Sequence, residues 1–255
     1  MKKTVVIDAL PESIQHYRED FAVVVIDVIR ATTTAVTAVA MGRRCFPVPT
    51  VDAALARATK LHHPLFVGEL GGNMPYGFDM TNSPAGIARR RDMQRPMILL
   101  SSSGTTLLHD AAECHAVYLA CFRNQEATAA YLRDRYERIA LIGAGTRGES
   151  REEDQMCAAW IAGSLLEEGF TPGSNKTLAT IKEWKGALPS ACHVSKSVDY
   201  LRRTGQVKDL TFILSHIDDL HAAYMFVNGE VLEVPVHAPE PEAHQVGVSQ
   251  ERELL

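Results

Sequence analysis

The chain has 255 residues, 46% of them hydrophobic and 22% charged, with a formal net charge of −5 and five cysteines. That length can bury one sizeable core or two modest ones. The acidic balance leaves no basic footprint for nucleic acid, and no apolar run reaches membrane-spanning length. Cys45, Cys114, Cys121, Cys157 and Cys192 have neither paired nor zinc-type spacing. The amino-terminal apolar stretch is too short for a signal peptide. A cytoplasmic protein with no membrane and no nucleic-acid partner is expected.

In chain order, the first strong element is the apolar run Val23-Val24-Val25-Ile26, which reads as a strand buried on both faces. It ends in Asp27, Arg30, Thr32, Thr33 and Thr34. Residues 35–41 then read as a helix stopped by Gly42. Residues 45–48 read as a short strand and 52–58 as a helix capped by Thr50. A strand over 65–68 ends at Glu69. Asn82-Ser83-Pro84 has the form of a helix start, with a cap followed by proline in the first turn. The strand over 97–100 ends in Ser101-Ser102-Ser103-Gly104-Thr105-Thr106, and a helix follows over 107–112.

A strand over 116–119 precedes a helix over 125–136 capped by Asn124. The strand over 139–142 runs into Gly143-Ala144-Gly145-Thr146-Arg147-Gly148. A long helix over 152–168 follows, with Ser150 and Glu153 at capping-box spacing and Gly169 at its close. Beyond it the pattern is less regular. Residues 175–185 and 194–203 read as helices, and 211–214, 225–227 and 231–236 as strands.

The alternation of strands and helices predicts an α/β fold, a three-layer α/β/α sandwich with a mostly parallel or mixed sheet. We expect residues 1–236 to form a single catalytic unit, with residue 123 as the candidate meeting point of two halves, and 237–255 to form a flexible tail.

Four of the strands end in polar turns that precede a helix, which is where α/β proteins place ligand chemistry. Acids there can hold a cation such as Mg²⁺; arginines, hydroxyls and backbone amides there can hold a phosphate. The spacing Gly143-x-Gly145-x-x-Gly148 fits a dinucleotide fingerprint, but the acid on a following strand is missing. Cys157 could be an activated thiol near a helix start, although its place well inside the helix beside Ala158, Ala159 and Trp160 favours core packing. The histidines lack HExxH spacing and read as surface residues.

Four stretches together resemble the 2-phosphosulfolactate phosphatase family. They are VVVIDVIRATTTAV (Val23 to Val36), GE followed by GFDMTNSP (Gly68-Glu69 and Gly77 to Pro84), SSSGT (Ser101 to Thr105) and GTRGESREEDQMCAAWIAG (Gly145 to Gly163). The resemblance implies a Mg²⁺-dependent α/β/α phosphatase that converts 2-phosphosulfolactate to sulfolactate and phosphate, a step associated with coenzyme M synthesis. In that reading Asp27, Glu69, Asp79 and Asp154 position Mg²⁺, and Asp27, Arg30 and Asp154 carry catalysis. Thr32, Thr33, Thr34, Asn82, Ser101, Ser102, Ser103, Gly104, Thr105 and Arg147 hold the small phosphorylated, sulfonated substrate.

Leu70 stands where the family usually has arginine, Met80-Thr81 replaces the usual Leu-Gly, and Ser103 replaces an asparagine. One fewer arginine suits a less anionic substrate. A phosphorylated-aspartate mechanism of the haloacid-dehalogenase type would need Asp-x-Asp, and Ile29 fills the second place. The rival class is a non-catalytic small-anion-binding protein of the same fold. A homodimer is the base-rate expectation for oligomeric state.

Overall fold

In the computed structural model, which describes residues 2–236, the chain begins with β1 (Thr4–Asp8), a 3₁₀ turn at Pro11–His16, and β2 (Ala22–Ile26). Every residue of β2 is buried. Val24 and Ile26 face one core while Val23 and Val25 face the other, as the two-residue period of a strand requires. Full burial of such side chains stabilises by about 1.5–3 kcal/mol each, which is why the run is apolar without alternation.

There follow α1 (Ala31–Ala40), β3 (Cys45–Val48), α2 (Val51–Ala58), β4 (Leu65–Gly68), α3 (Pro84–Ala88), β5 (Met97–Leu100) and α4 (Gly104–Asp110). After these come β6 (Ala116–Ala120), α5 (Gln125–Arg133), β7 (Arg138–Gly143), α6 (Glu152–Glu167), β8 (Thr171–Pro172) and α7 (Asn175–Trp184). A 3₁₀ turn at Pro189–Val194 leads to α8 (Lys196–Arg203), α9 (Val207–Ser215), β9 (Ala222–Val227) and β10 (Glu230–Pro235).

The strands form one ten-stranded mixed sheet in the order β4-β5-β3-β10-β9-β6-β2-β7-β1-β8. It comprises two parallel sets, β4-β5-β3 and β6-β2-β7-β1-β8, joined by the antiparallel hairpin β9–β10. Helices cover both faces. Residues of α5, α6, α7, α8 and α9 pack on one face, those of α1 and α4 on the other. The expected α/β/α sandwich is therefore present, with a mixed sheet.

The sheet is not flat. Four strands separate β5 from β2, a span of about 24 Å in a flat sheet. Yet Gly104, just after β5, lies against the carboxylate of Asp27, just after β2. The two parallel sets run in opposite directions, because three antiparallel pairings lie between β3 and β6; the loops after β4 and β5 nonetheless line one pocket with the turns after β2 and β7.

Three local expectations need correction. Residues 211–214 are not a strand but the second half of α9, where Leu210 and Ile213 are buried at helical spacing. A short apolar run does not distinguish the two by itself. The capping box at Ser150 does not form: α6 starts from Arg151 with no side-chain cap, and Glu153 is fully buried. Asn124 does precede α5 but does not cap it. Its Oδ1 instead accepts from Cys121 N at 3.0 Å, and its Nδ2 donates to Leu119 O and Thr128 Oγ1. The tail expected from residue 237 lies outside the described residues.

Candidate active site

Where these loops and turns meet there is a pocket of about 360 Å³, lined by residues that include Asp27, Arg30, Glu69, Asn82, Ser101, Ser102, Ser103, Arg147, Arg151, Lys196 and Tyr200. Asp27 is its buried acid. Burial, above all, pushes the carboxyl up to about 7; the charges of Glu69 and Glu153 add to this, against an N–H from Ala31 and the charge of Arg30. Gly104 permits this placement. A Cβ at position 104 would stand 2.3 Å from Asp27 Oδ2 and 2.7 Å from Ala31 Cβ, so the glycine of the serine loop is fixed by the acid across the pocket.

Arg30 follows a cis peptide bond at Ile29-Arg30. Its side chain is buried, and Nη1 donates to Asp209 Oδ2 at 2.6 Å and to Gln206 Oε1. Nε and Nη2 have no protein partner among the described residues and remain for a ligand. The other cations are differently placed. Arg147 is exposed and sits in the left-handed region at φ 55°, between Gly145 and Gly148, which also have positive φ. Arg151 is mostly buried and bonds to the Thr146 and Ser150 carbonyls. Lys196 reaches from α8 to Glu149 at 2.7 Å. Tyr200, also on α8, donates to Gly72 O at 2.6 Å and closes one wall.

The serine loop divides its work. Ser101 Oγ accepts from Gly104 N at 3.2 Å, and Thr105 Oγ1 bonds to the backbone of Ser101. Thr105 is buried and outside the pocket lining, so it shapes the loop rather than facing a ligand. Ser102 is tied to Glu69, whose Oε1 accepts from Ser102 N at 2.7 Å and whose Oε2 accepts from Gly72 N at 2.8 Å. Ser103 lines the pocket and its side chain makes no capping bond.

Several residues expected at the ligand lie elsewhere. Thr32, Thr33 and Thr34 belong to the first turns of α1, are buried, and do not line the pocket. Their hydroxyls bond to carbonyls: Thr32 to Asp27 O and Ala120 O, Thr33 to Val28 O, Thr34 to Arg30 O and Asn82 O. They brace the turn that carries Asp27. Asp79 accepts from Phe66 N at 2.9 Å and pairs with Arg95 at 3.1 Å, away from the pocket. Asp154 is buried behind Asp27. Its Oδ1 accepts from Val28 N at 2.8 Å, Gly145 N–H adds to it, and its pKa is raised by burial and by Glu153 and Asp27.

Leu70, at the position of the expected arginine, is 41% exposed and does not line the pocket. Cys157 is fully buried and burial pushes its thiol well above the usual range, which fits a core residue.

Sequence reasoning missed Asp209, Gln206, Arg151, Lys196 and Tyr200. The first two lie 179 and 176 residues from Arg30, and no local pattern marks them.

Among the described residues no three His, Cys, Asp or Glu side chains stand together as a ready-made metal cage. A hard cation that keeps water and phosphate oxygens as ligands needs only one or two protein carboxylates. Asp27 supplies one. Asn82 Oδ1, buried with no hydrogen-bond partner, is a neutral oxygen in the lining of the same pocket. The donor set therefore fits Mg²⁺.

A buried acid facing hydroxyls and arginines is the equipment of a phosphoric monoester hydrolase, and comparison with known proteins places the chain in that enzyme class. The chain belongs to the 2-phosphosulpholactate phosphatase family, whose family model matches residues 8–226. It is 32% identical over 204 residues to a probable 2-phosphosulfolactate phosphatase of Pseudothermotoga lettingae, covering 80% of this chain and 87% of that one. Proteins with the same name from Clostridium perfringens and Deinococcus radiodurans are 29% and 37% identical. They cover 82% and 64% of this chain, and 87% and 68% of their own lengths. No helix among the described residues is long and apolar enough to cross a membrane.

Proposed function

We propose that the pocket hydrolyses 2-phosphosulfolactate, or a closely related small anionic phosphomonoester, with Mg²⁺ as cofactor. The observation that carries the reading is Asp27: a buried carboxylate pushed up to about 7 at the junction of the serine loop and the arginines. The relatives' names supply the substrate, and the donor chemistry supports the metal. Asp27 and Asn82 Oδ1 would hold Mg²⁺, which when bound neutralises charge on the phosphate.

The free Nε and Nη2 of Arg30 and the hydroxyl of Ser103 bind phosphate oxygens. Arg147, Arg151 and Lys196 line the remaining wall and answer the negative charge on the rest of the substrate. In the balanced reaction, a water oxygen bonds to phosphorus as the phosphorus–oxygen ester bond breaks. The leaving alcohol takes a proton and inorganic phosphate is released.

The test is phosphate release from 2-phosphosulfolactate and from a panel of phosphomonoesters, with Mg²⁺ and with EDTA. Release that depends on Mg²⁺ and is greatest with the sulfonated ester is expected. Anion binding without turnover across the whole panel would replace the reading by a binding protein of the same fold.

A further inference from the structure

Asp209 links two parts of the pocket that are far apart in sequence. It lies in the first turn of α9 and is 3% exposed. One oxygen, Oδ2, accepts from Arg30 Nη1 at 2.6 Å. The other, Oδ1, accepts from Ser83 Oγ at 2.5 Å and from Ala85 N at 3.1 Å, at the start of α3. Gln206, the residue just before α9, holds the same Nη1 of Arg30. Asn82, next to Ser83, lines the pocket. A single carboxylate therefore holds both the Arg30 guanidinium and the Ser83–Ala85 segment that follows Asn82.

We propose that Asp209 is a positioning residue for the phosphoryl site, fixing Arg30 so that Nε and Nη2 are presented to the phosphate. The proposal rests on the phosphatase reading given above. A buried guanidinium with one nitrogen held has few other orientations, so its remaining donors are aimed before a ligand arrives. The geometry also separates the two roles of Asp209. In Asp209→Asn the Oδ1 acceptor for Ser83 and Ala85 is retained, while the new amide is a donor facing a donor at Arg30.

The experiment is a double-mutant cycle of Asp209→Asn with Arg30→Ala, read by kcat and KM for phosphate release, by calorimetric binding of inorganic phosphate, and by melting temperature. Asp209→Asn is expected to lose about 10–100-fold in kcat/KM. It should move kcat and KM in the directions that Arg30→Ala moves them, and the double variant should be no worse than Arg30→Ala. A folded Asp209→Asn with wild-type kcat/KM, losses that multiply in the double variant, or an opposite kcat-against-KM pattern would each overturn the proposal.

If Asp209→Asn does not fold, Asp209→Glu takes its place in the same cycle, since it keeps the buried counter-charge while displacing the carboxylate oxygens from Nη1. If the wild type releases no phosphate from any ester, the phosphatase reading fails on its own. The cycle is then decided on inorganic phosphate affinity, where the same non-additivity is required. A wild type that binds no phosphate ends the proposal.

Discussion

Replacing Asp27 by asparagine should stabilise the metal-free protein above neutral pH while abolishing phosphate release. The carboxyl is raised from 3.8 to about 7, chiefly by burial. Between those values the folded state keeps a proton that the unfolded state has released. Wild-type stability therefore falls as pH rises through that window and levels off above pH 7. A displacement of that size corresponds to about 4 kcal/mol. Asparagine has the shape of the protonated acid, can accept the Ala31 N–H, and does not titrate. For a chain of this length about 4 kcal/mol sets an upper limit near 10 °C in melting temperature. Part of it is returned through relaxation of Glu69 and Glu153, so several degrees are expected at pH 8 in EDTA, shrinking to nothing by pH 4. Thermal denaturation across that range is the assay. An asparagine variant that melts at or below wild type at pH 8, or a difference that does not change with pH, would refute the argument. Mg²⁺ should then raise the melting temperature of the wild type and leave that of the variant unchanged.

Gly104→Ala places a Cβ 2.3 Å from Asp27 Oδ2; a loss of about 1–3 kcal/mol in denaturant unfolding and a large drop in phosphate release are expected together. Asp79→Asn weakens only the pairing with Arg95, in which Asp79 is 37% exposed, so stability should change by less than about 1 kcal/mol. Its Mg²⁺ titration should match wild type, and a shifted Mg²⁺ requirement would return Asp79 to the metal site. Cys157→Ala should retain turnover, because the buried thiol is held protonated; loss of turnover in a variant that melts normally would restore a thiol mechanism.

The elements that could be read from the sequence are those whose signals are local. β2 announces itself because both its faces are buried. Thr50 caps α2 and Ser83 caps α3, each by accepting a backbone N–H three residues on. The failures are failures of local reasoning. Ser150 and Glu153 have the spacing of a capping box, but the burial of Glu153 is set by the packing of the whole first turn of α6, which sequence spacing does not encode. The threonines after Asp27 look like phosphate donors by type, yet the turn they stand in exposes carbonyls that their hydroxyls satisfy first. The meeting of the turn after β2 with the loop after β5 depends on how the two parallel sets are joined, through the β9–β10 hairpin encoded more than a hundred residues later. The partners of Arg30 come from the start of α9 and the residue before it, where the apolar run of 211–214 gave a strand reading that hid the helix altogether.

The acids at the strand ends share a residue type but not a role. Glu69 gives its oxygens to Gly72 N and to Ser102; Asp79 gives its Oδ2 to Phe66 N and Arg95. Asp154 ties the turn after β2, through Val28 N, to the loop after β7, through Gly145. These are clamps on loops. Only Asp27 faces the pocket with one backbone donor and no ion pair of its own. The clamping acids still act on it through space: the charge of Glu69, and that of Glu153 beside Asp154, raises the affinity of Asp27 for a proton. The same negative field raises its affinity for a cation, and a divalent ion gains more from that field than a proton's single charge. The loop clamps thus supply the electrostatic case for a metal at Asp27, even where they contribute no ligand atom to it.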